Sequence, residues 1–156
     1  TFSSSLFAPH VSSARNLDIA VLGGDAAGLY LALRLAEAEG DTSLNITVYD
    51  YRWYKSSDGW FKTHPQTQEL EDHRIFVVPY SLVDVCSEVT RNAILGSEDP
   101  CDEIWPGAVC LSPAKLEERL LKRVQEADVS GKISLAVGPP GRAGTLLRQG
   151  TQLADD

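Results

Sequence analysis

Residues 17–28 read LDIAVLGGDAAG, a short apolar run that breaks into the small residues Gly23, Gly24, Asp25, Ala26, Ala27 and Gly28. A partly β-branched run of this length, closed by a glycine pair, is a buried strand. The glycines let the chain bend sharply and enter a helix that lies close against that strand. The helix expected next is LYLALRLAEAEG, with Gly28, Ala32, Leu35 and Ala36 on one face, Arg34, Glu37 and Glu39 directed elsewhere, and Gly40 as a stop. Residues 45–50, NITVYD, form a second strand ending on Asp50. Strand, turn, helix and strand make a βαβ unit, whose crossover sets the two strands parallel.

A turn built this way suits a dinucleotide. Its first glycine permits the bend, a small second residue lets the backbone approach a pyrophosphate, and the third glycine permits close helix–strand packing. The pyrophosphate then rests on free amides at the helix N-terminus, where the macrodipole favours negative charge. Gly23 and Gly28 have the spacing of the first and third glycines, whereas Asp25 stands at the second. A carboxylate about 4 Å from a pyrophosphate would be repelled by about 4 kcal/mol per charge pair at an effective dielectric near 20. Directed into solvent, it would cost little. Asp50 lies near the spacing of about 20 residues at which an acid bonds a ribose hydroxyl. The same residues also serve a fold without a ligand, the glycines for packing and Asp50 as a solvated strand end.

The rest of the chain is less regular. Residues 51–73 concentrate aromatic and polar side chains around Asp58-Gly59 and read as an irregular excursion. Residues 74–80 have strand composition, with Pro79 placing the end at an edge. Residues 81–95 suit one helix with an apolar stripe of Val83, Cys86, Val89 and Ile94, and 96–107 read as a loop. Ser112-Pro113 opens a further helix with Leu116, Leu120, Leu121 and Val124 on its buried face, and 132–137 is a strand. The expected architecture is α/β: a Rossmann-like βαβ with a small, mostly parallel sheet flanked by helices over 17–137. A Ser-rich arm or leader remnant precedes it at 1–16, and an irregular tail follows at 138–156.

Composition excludes some partners. The 156 residues carry 14 Lys and Arg against 22 Asp and Glu, a formal charge of −8. Phosphate backbones and anionic membranes demand the opposite balance, and no apolar run spans a bilayer. Cys86, Cys101 and Cys110 contain no C-x-x-C pair, so free thiols in a reducing compartment, cytoplasm or organelle interior, are expected. The Ser-rich start, with Arg15 and no acid before Asp18, hints at import. His10, His64 and His73 are scattered, and no metal site is expected.

The segment DIAVLGGDAAGLYLALRLAEAEG, continued by ITVYDYR, resembles the N-terminal FAD-binding part of flavoprotein oxidoreductases, especially FAD-dependent monooxygenases. These open with a hydrophobic strand, a G-G-G-x-A-G-L turn, and a strand closing on an acid followed by Arg. The G-G-D-A-A-G wording also resembles a variant turn in some pyridine-nucleotide-dependent flavin reductases, although their redox cysteine pair is missing after the second strand. EIWPGAVCLSPAKLEERLLKRVQEADVSGKISLAV is similar, more loosely, to a monooxygenase stretch whose L-E-x-x-L-L helix leads to a strand on the adenosine side. The resemblance implies that Gly23, Gly24 and Gly28 line the pyrophosphate, Asp50 holds the ribose and Arg52 lies beside the adenosine. With Asp25, Ala26 and Ala27 of the turn, these are the candidate cofactor residues. The family's Arg pair is missing from KTHPQTQELEDH, and its later motifs and substrate domain would lie beyond residue 156.

Three functions follow. The first is an FAD-binding module of a flavin-dependent oxidoreductase, not a complete enzyme by itself, with no catalytic residue identifiable. The second is a non-catalytic accessory or scaffold subunit, with Trp53, Tyr54, Trp60 and Phe61 as anchors for a partner. The third is a small NAD-binding regulatory module, in which Asp50 favours NAD over NADP.

Overall fold

A computed structural model describes residues 16–38, 43–65, 74–96 and 106–138. The first run holds β1 (Asn16–Leu22) and α1 (Ala26–Glu37), and the second β2 (Ser43–Asp50), β3 (Trp53–Lys55) and β4 (Phe61–Thr63). The third holds β5 (Phe76–Pro79), α2 (Tyr80–Val83) and α3 (Glu88–Leu95), and the fourth β6 (Ala108–Leu111), α4 (Pro113–Val124) and β7 (Ile133–Val137).

The architecture is mixed α/β. β1, β2 and β7 form a parallel sheet in that order, with Ile19 opposite Ile46 and Ile46 opposite Ile133. Side chains alternate across a strand. Val21, Ile46, Val48 and Ile133 are buried in one core with Leu29, Ala32, Leu33 and Ala36 of α1 and Leu116, Leu120, Leu121 and Val124 of α4. Asp18, Ala20, Leu22 and Asn45, on the alternate face, are exposed. The outer edge of β1 has no strand beside it among the described residues.

The expected strands at 17–22, 45–50 and 132–137 are present, and α4 begins at Ser112, whose hydroxyl accepts the Lys115 amide at 3.2 Å. Elsewhere the structure departs from expectation. Two antiparallel pairs stand apart from the parallel sheet, β3 with β4 and β5 with β6. Residues 51–73 are therefore not wholly irregular. The Asp58 carboxylate accepts the Trp60 amide at 3.0 Å and pairs with Lys62 at 2.9 Å, while Gly59 takes a positive φ of 87°, which closes the β3–β4 hairpin.

Residues 81–95 are not one helix. α2 ends at Val83 and α3 starts afresh from Ser87, whose hydroxyl accepts the Thr90 amide at 3.2 Å. α1 buries Leu29 and Leu33 beside Ala32 and Ala36, a face turned from the one expected. It stops at Glu37, where Lys132 Nζ donates to the Ala36 carbonyl at 2.7 Å, so the stop precedes Gly40.

Glu37, expected to point away from the apolar face, is tied to the start of α3: its carboxylate accepts the Ser87 amide at 3.1 Å and the Ser87 hydroxyl at 2.6 Å, together with the Thr90 hydroxyl. Burial opposes its ionisation, but the Ser87 and Thr90 hydrogen bonds outweigh it and hold the carboxyl below its ordinary range. Arg123, buried on α4, joins this group through Thr90 at 2.9 Å and pairs with Asp128 at 2.7 Å.

Cys110 on β6 is disulfide-bonded and Cys86 is free, which corrects the expectation of three free thiols and removes its argument for a reducing compartment. The partner of Cys110 lies outside the described residues, as do His10, His73, the tail from 139 and all of the arm expected at 1–16 except Asn16, which opens β1. Among the described residues, no helix is long and apolar enough to cross a membrane.

Candidate functional site

The turn between β1 and α1 is held at several points. Gly23 has φ +102°, and its amide donates to the Tyr49 carbonyl of β2 at 2.9 Å. A Cβ on Gly23 would meet nothing within 4 Å, so this side of the turn is open. Gly28 has the opposite environment: a Cβ there would stand 2.0 Å from the Gly23 carbonyl oxygen. The helix therefore begins pressed onto the turn, and only glycine at 28 allows it.

Asp25 is the N-cap of α1. Its carboxylate accepts the Gly28 amide at 2.9 Å, placing a protein anion at the positive end of the helix. The amides of Ala26 and Ala27 have no partner among the described residues. Two donors therefore remain in the first turn of α1.

Asp50 ends β2 directly across from this turn. One carboxylate oxygen accepts the Gly24 amide at 2.7 Å, and the other accepts the Arg52 amide at 2.8 Å. The Arg52 guanidinium binds the same carboxylate, with Nη2 at 2.8 Å, and its Nη1 reaches Glu117 of α4 at 3.2 Å. Glu117 in turn accepts the Thr63 hydroxyl at 2.9 Å. Burial opposes ionisation of Asp50, but hydrogen bonds from Arg52 and Gly24 outweigh it and hold the carboxyl below the usual carboxylate range. The Asp50 hydrogen bond and the nearby Glu117 charge push Arg52 upward against its own burial.

The structure thus brings Gly23, Gly24, Asp25, Ala26, Ala27, Gly28, Asp50 and Arg52 into one neighbourhood. Asp50 and Arg52 face one another as a pair, a relation that sequence spacing did not reveal. Glu117 was missed because nothing local marks an acid on an amphipathic helix as the partner of a distant Arg. Trp53, expected either to anchor a partner or to join a local hydrophobic cluster, is part of the core, with Phe61 packed against it. It is 1% exposed, and a Cβ on Gly24 would lie 1.9 Å from its Cζ2. Its indole meets Phe61 edge-on, with centroids 6.3 Å apart, and Nε1 is buried with no hydrogen-bond partner. An orphaned donor of this kind costs about 1–3 kcal/mol.

The other aromatic residues are arranged differently. Tyr54 lies against His64, with ring centroids 4.8 Å apart, and Phe61 is half-buried. Only Trp60 of the four is exposed, at 38%. It borders a groove of about 420 Å³ with Tyr54, Phe61, Leu121 and Lys122. A second, apolar groove of about 390 Å³ runs from Ala26 and Ala27 past Tyr30 to Phe76 and Leu82.

Neither a protein-family model nor a curated protein matches this chain.

Proposed function

We propose that this chain is the dinucleotide-binding part of a flavin-dependent oxidoreductase, with a Rossmann-like βαβ unit that takes the adenosine diphosphate half of FAD. The observation that carries the proposal is the Asp50–Gly24 hydrogen bond of 2.7 Å. It sets an acid at the carboxyl end of one parallel strand against the glycine turn at the end of the next, the crevice where α/β sheets hold nucleotides. The residues present suit an oxygen-rich anion: free amides at Ala26 and Ala27, an open face at Gly23, and an unsatisfied indole N–H beside Gly24. In this reading Ala26 and Ala27 receive the diphosphate, Asp50 orients the ribose from its bonded position, and Arg52 neutralises Asp50 and fixes its direction. The flavin supplies the redox chemistry when bound, and the protein supplies position and electrostatics.

Titration calorimetry of the chain with FAD, ADP and NAD tests the proposal. FAD and ADP should bind in competition, and NAD more weakly. Absence of binding by all three overturns it, and preference for NAD supports the nicotinamide module instead.

A second reading, an accessory or scaffold subunit on a degenerate flavoprotein-like fold, is favoured by Asp25. Its carboxylate already occupies the helix end that a diphosphate would use. A colourless chain that binds no dinucleotide and copurifies with a fixed set of subunits is its signature.

A further inference from the structure

Tryptophan costs a fold something that phenylalanine does not, because its ring carries an N–H that needs an acceptor. Trp53 is 1% exposed and its Nε1 has no acceptor among the described residues. The ring is closely held, edge-on against Phe61 and with Cζ2 and Cε2 against Gly24. Cε2, the carbon bonded to Nε1, lies 2.7 Å from where a Gly24 Cβ would stand. Because Nε1 is bonded to Cε2, the unsatisfied donor lies on the side of the ring that packs against Gly24 of the turn. Both carboxylate oxygens of Asp50, the acid bonded to Gly24, accept from Gly24 and Arg52 and none from Trp53.

We propose that the Trp53 indole N–H is a ligand-binding donor that pairs with an oxygen of the ribose–diphosphate half of a bound nucleotide. The proposal rests on the dinucleotide reading and extends it to a residue which the glycine signature does not include. The ligand supplies the acceptor that the protein lacks, so Trp53 favours ligands that place an oxygen beside Gly24. Its ring remains the wall against which Gly24 packs.

The test is the indole ¹⁵N–¹H spectrum of the full chain titrated with ADP, with the Trp53→Phe variant identifying the resonance and tested for binding. The Trp53 indole proton should move downfield and exchange more slowly with solvent as ADP binds. Trp53→Phe should keep or raise thermal stability while weakening ADP about tenfold, the loss expected for one hydrogen bond to a charged acceptor. If ADP shifts the Gly23, Ala26 and Ala27 amides but leaves the indole in place, Trp53 is a packing residue only and the proposal is overturned. Wild-type affinity in the variant has the same meaning. If ADP moves neither the amides nor the indole and releases no heat, the dinucleotide reading fails and takes this proposal with it. Should Trp53→Phe not fold, the wild-type indole shift alone decides.

Discussion

The Asp50 carboxylate and the Gly24 amide meet at 2.7 Å across 26 residues of chain, and this contact fastens the tip of β2 to the turn after β1. An ionised acceptor roughly doubles the strength of such a bond. Arg52 grips the same carboxylate, with Nη2 at 2.8 Å, so the acid's orientation, the turn's shape and the pairing of Arg52 with Glu117 are coupled.

Asp50→Ala should therefore cost about 3 kcal/mol, because it leaves the Gly24 amide unpaired and strips Arg52 of its nearer partner. Urea denaturation at neutral pH measures this. The acid side has a defined sign. The folded carboxyl titrates below its ordinary value, so its stabilisation is present above the unfolded pKa of about 3.9 and is lost as pH falls through the folded value. Between pH 7 and pH 3 the wild-type urea midpoint should fall further than that of Asp50→Asn.

Gly24 and Gly28 should respond differently to an added methyl group. Gly28→Ala drives Cβ to within 2.0 Å of a backbone oxygen, and no side-chain rearrangement relieves that, so a loss of about 3 kcal/mol or more is expected. Gly24→Ala collides instead with the Trp53 ring at 1.9 Å. Combining it with Trp53→Leu should recover part of the loss, giving a favourable coupling of about 1 kcal/mol in a double-mutant cycle. Strict additivity would show that the ring and the glycine do not constrain each other.

Asp25→Ser keeps an N-cap acceptor for Gly28 while removing the charge. Thermal stability should stay within about 0.5 kcal/mol. ADP should bind at least roughly tenfold more tightly if the carboxylate opposes a diphosphate at this helix end. Unchanged ADP affinity in a well-folded variant would mean that the diphosphate sits elsewhere.

The cysteines are countable. With Cys110 bridged and Cys86 free, the denatured but unreduced chain should take one thiol label, rising to all three cysteines after reduction. Three labels without reductant would show that the bridge is not formed in solution.

The βαβ start was legible because each of its parts has a local signature: a β-branched run, glycines at a bend, a helical stripe and a terminal acid. α4 was legible for the same reason, through Ser112 and Pro113 at its entrance. The division of 81–95 at Ser87 was not, because Val83, Cys86, Val89 and Ile94 repeat closely enough to imitate one continuous stripe. β6 escaped notice because Ala108–Leu111 is too short to announce a strand without its partner β5. Within the site, the glycines and Asp50 were readable from spacing. What they touch was not: the Trp53 ring against Gly24 and Glu117 against Arg52 are tertiary choices, invisible to any local pattern.

The two contacts of the Asp50–Arg52 pair differ in the amount of chain they must close. Asp50 reaches Gly24 over 26 residues, whereas Arg52 reaches Glu117 over 65. The entropy of closing a loop grows with its length, and long-range pairings delay folding. The glycine turn and its acid can thus assemble as an early unit while α4 is still searching for its place. Until Glu117 arrives, Arg52 has only Asp50 to neutralise it, so the docking of α4 is also the step that completes the charge balance around the turn.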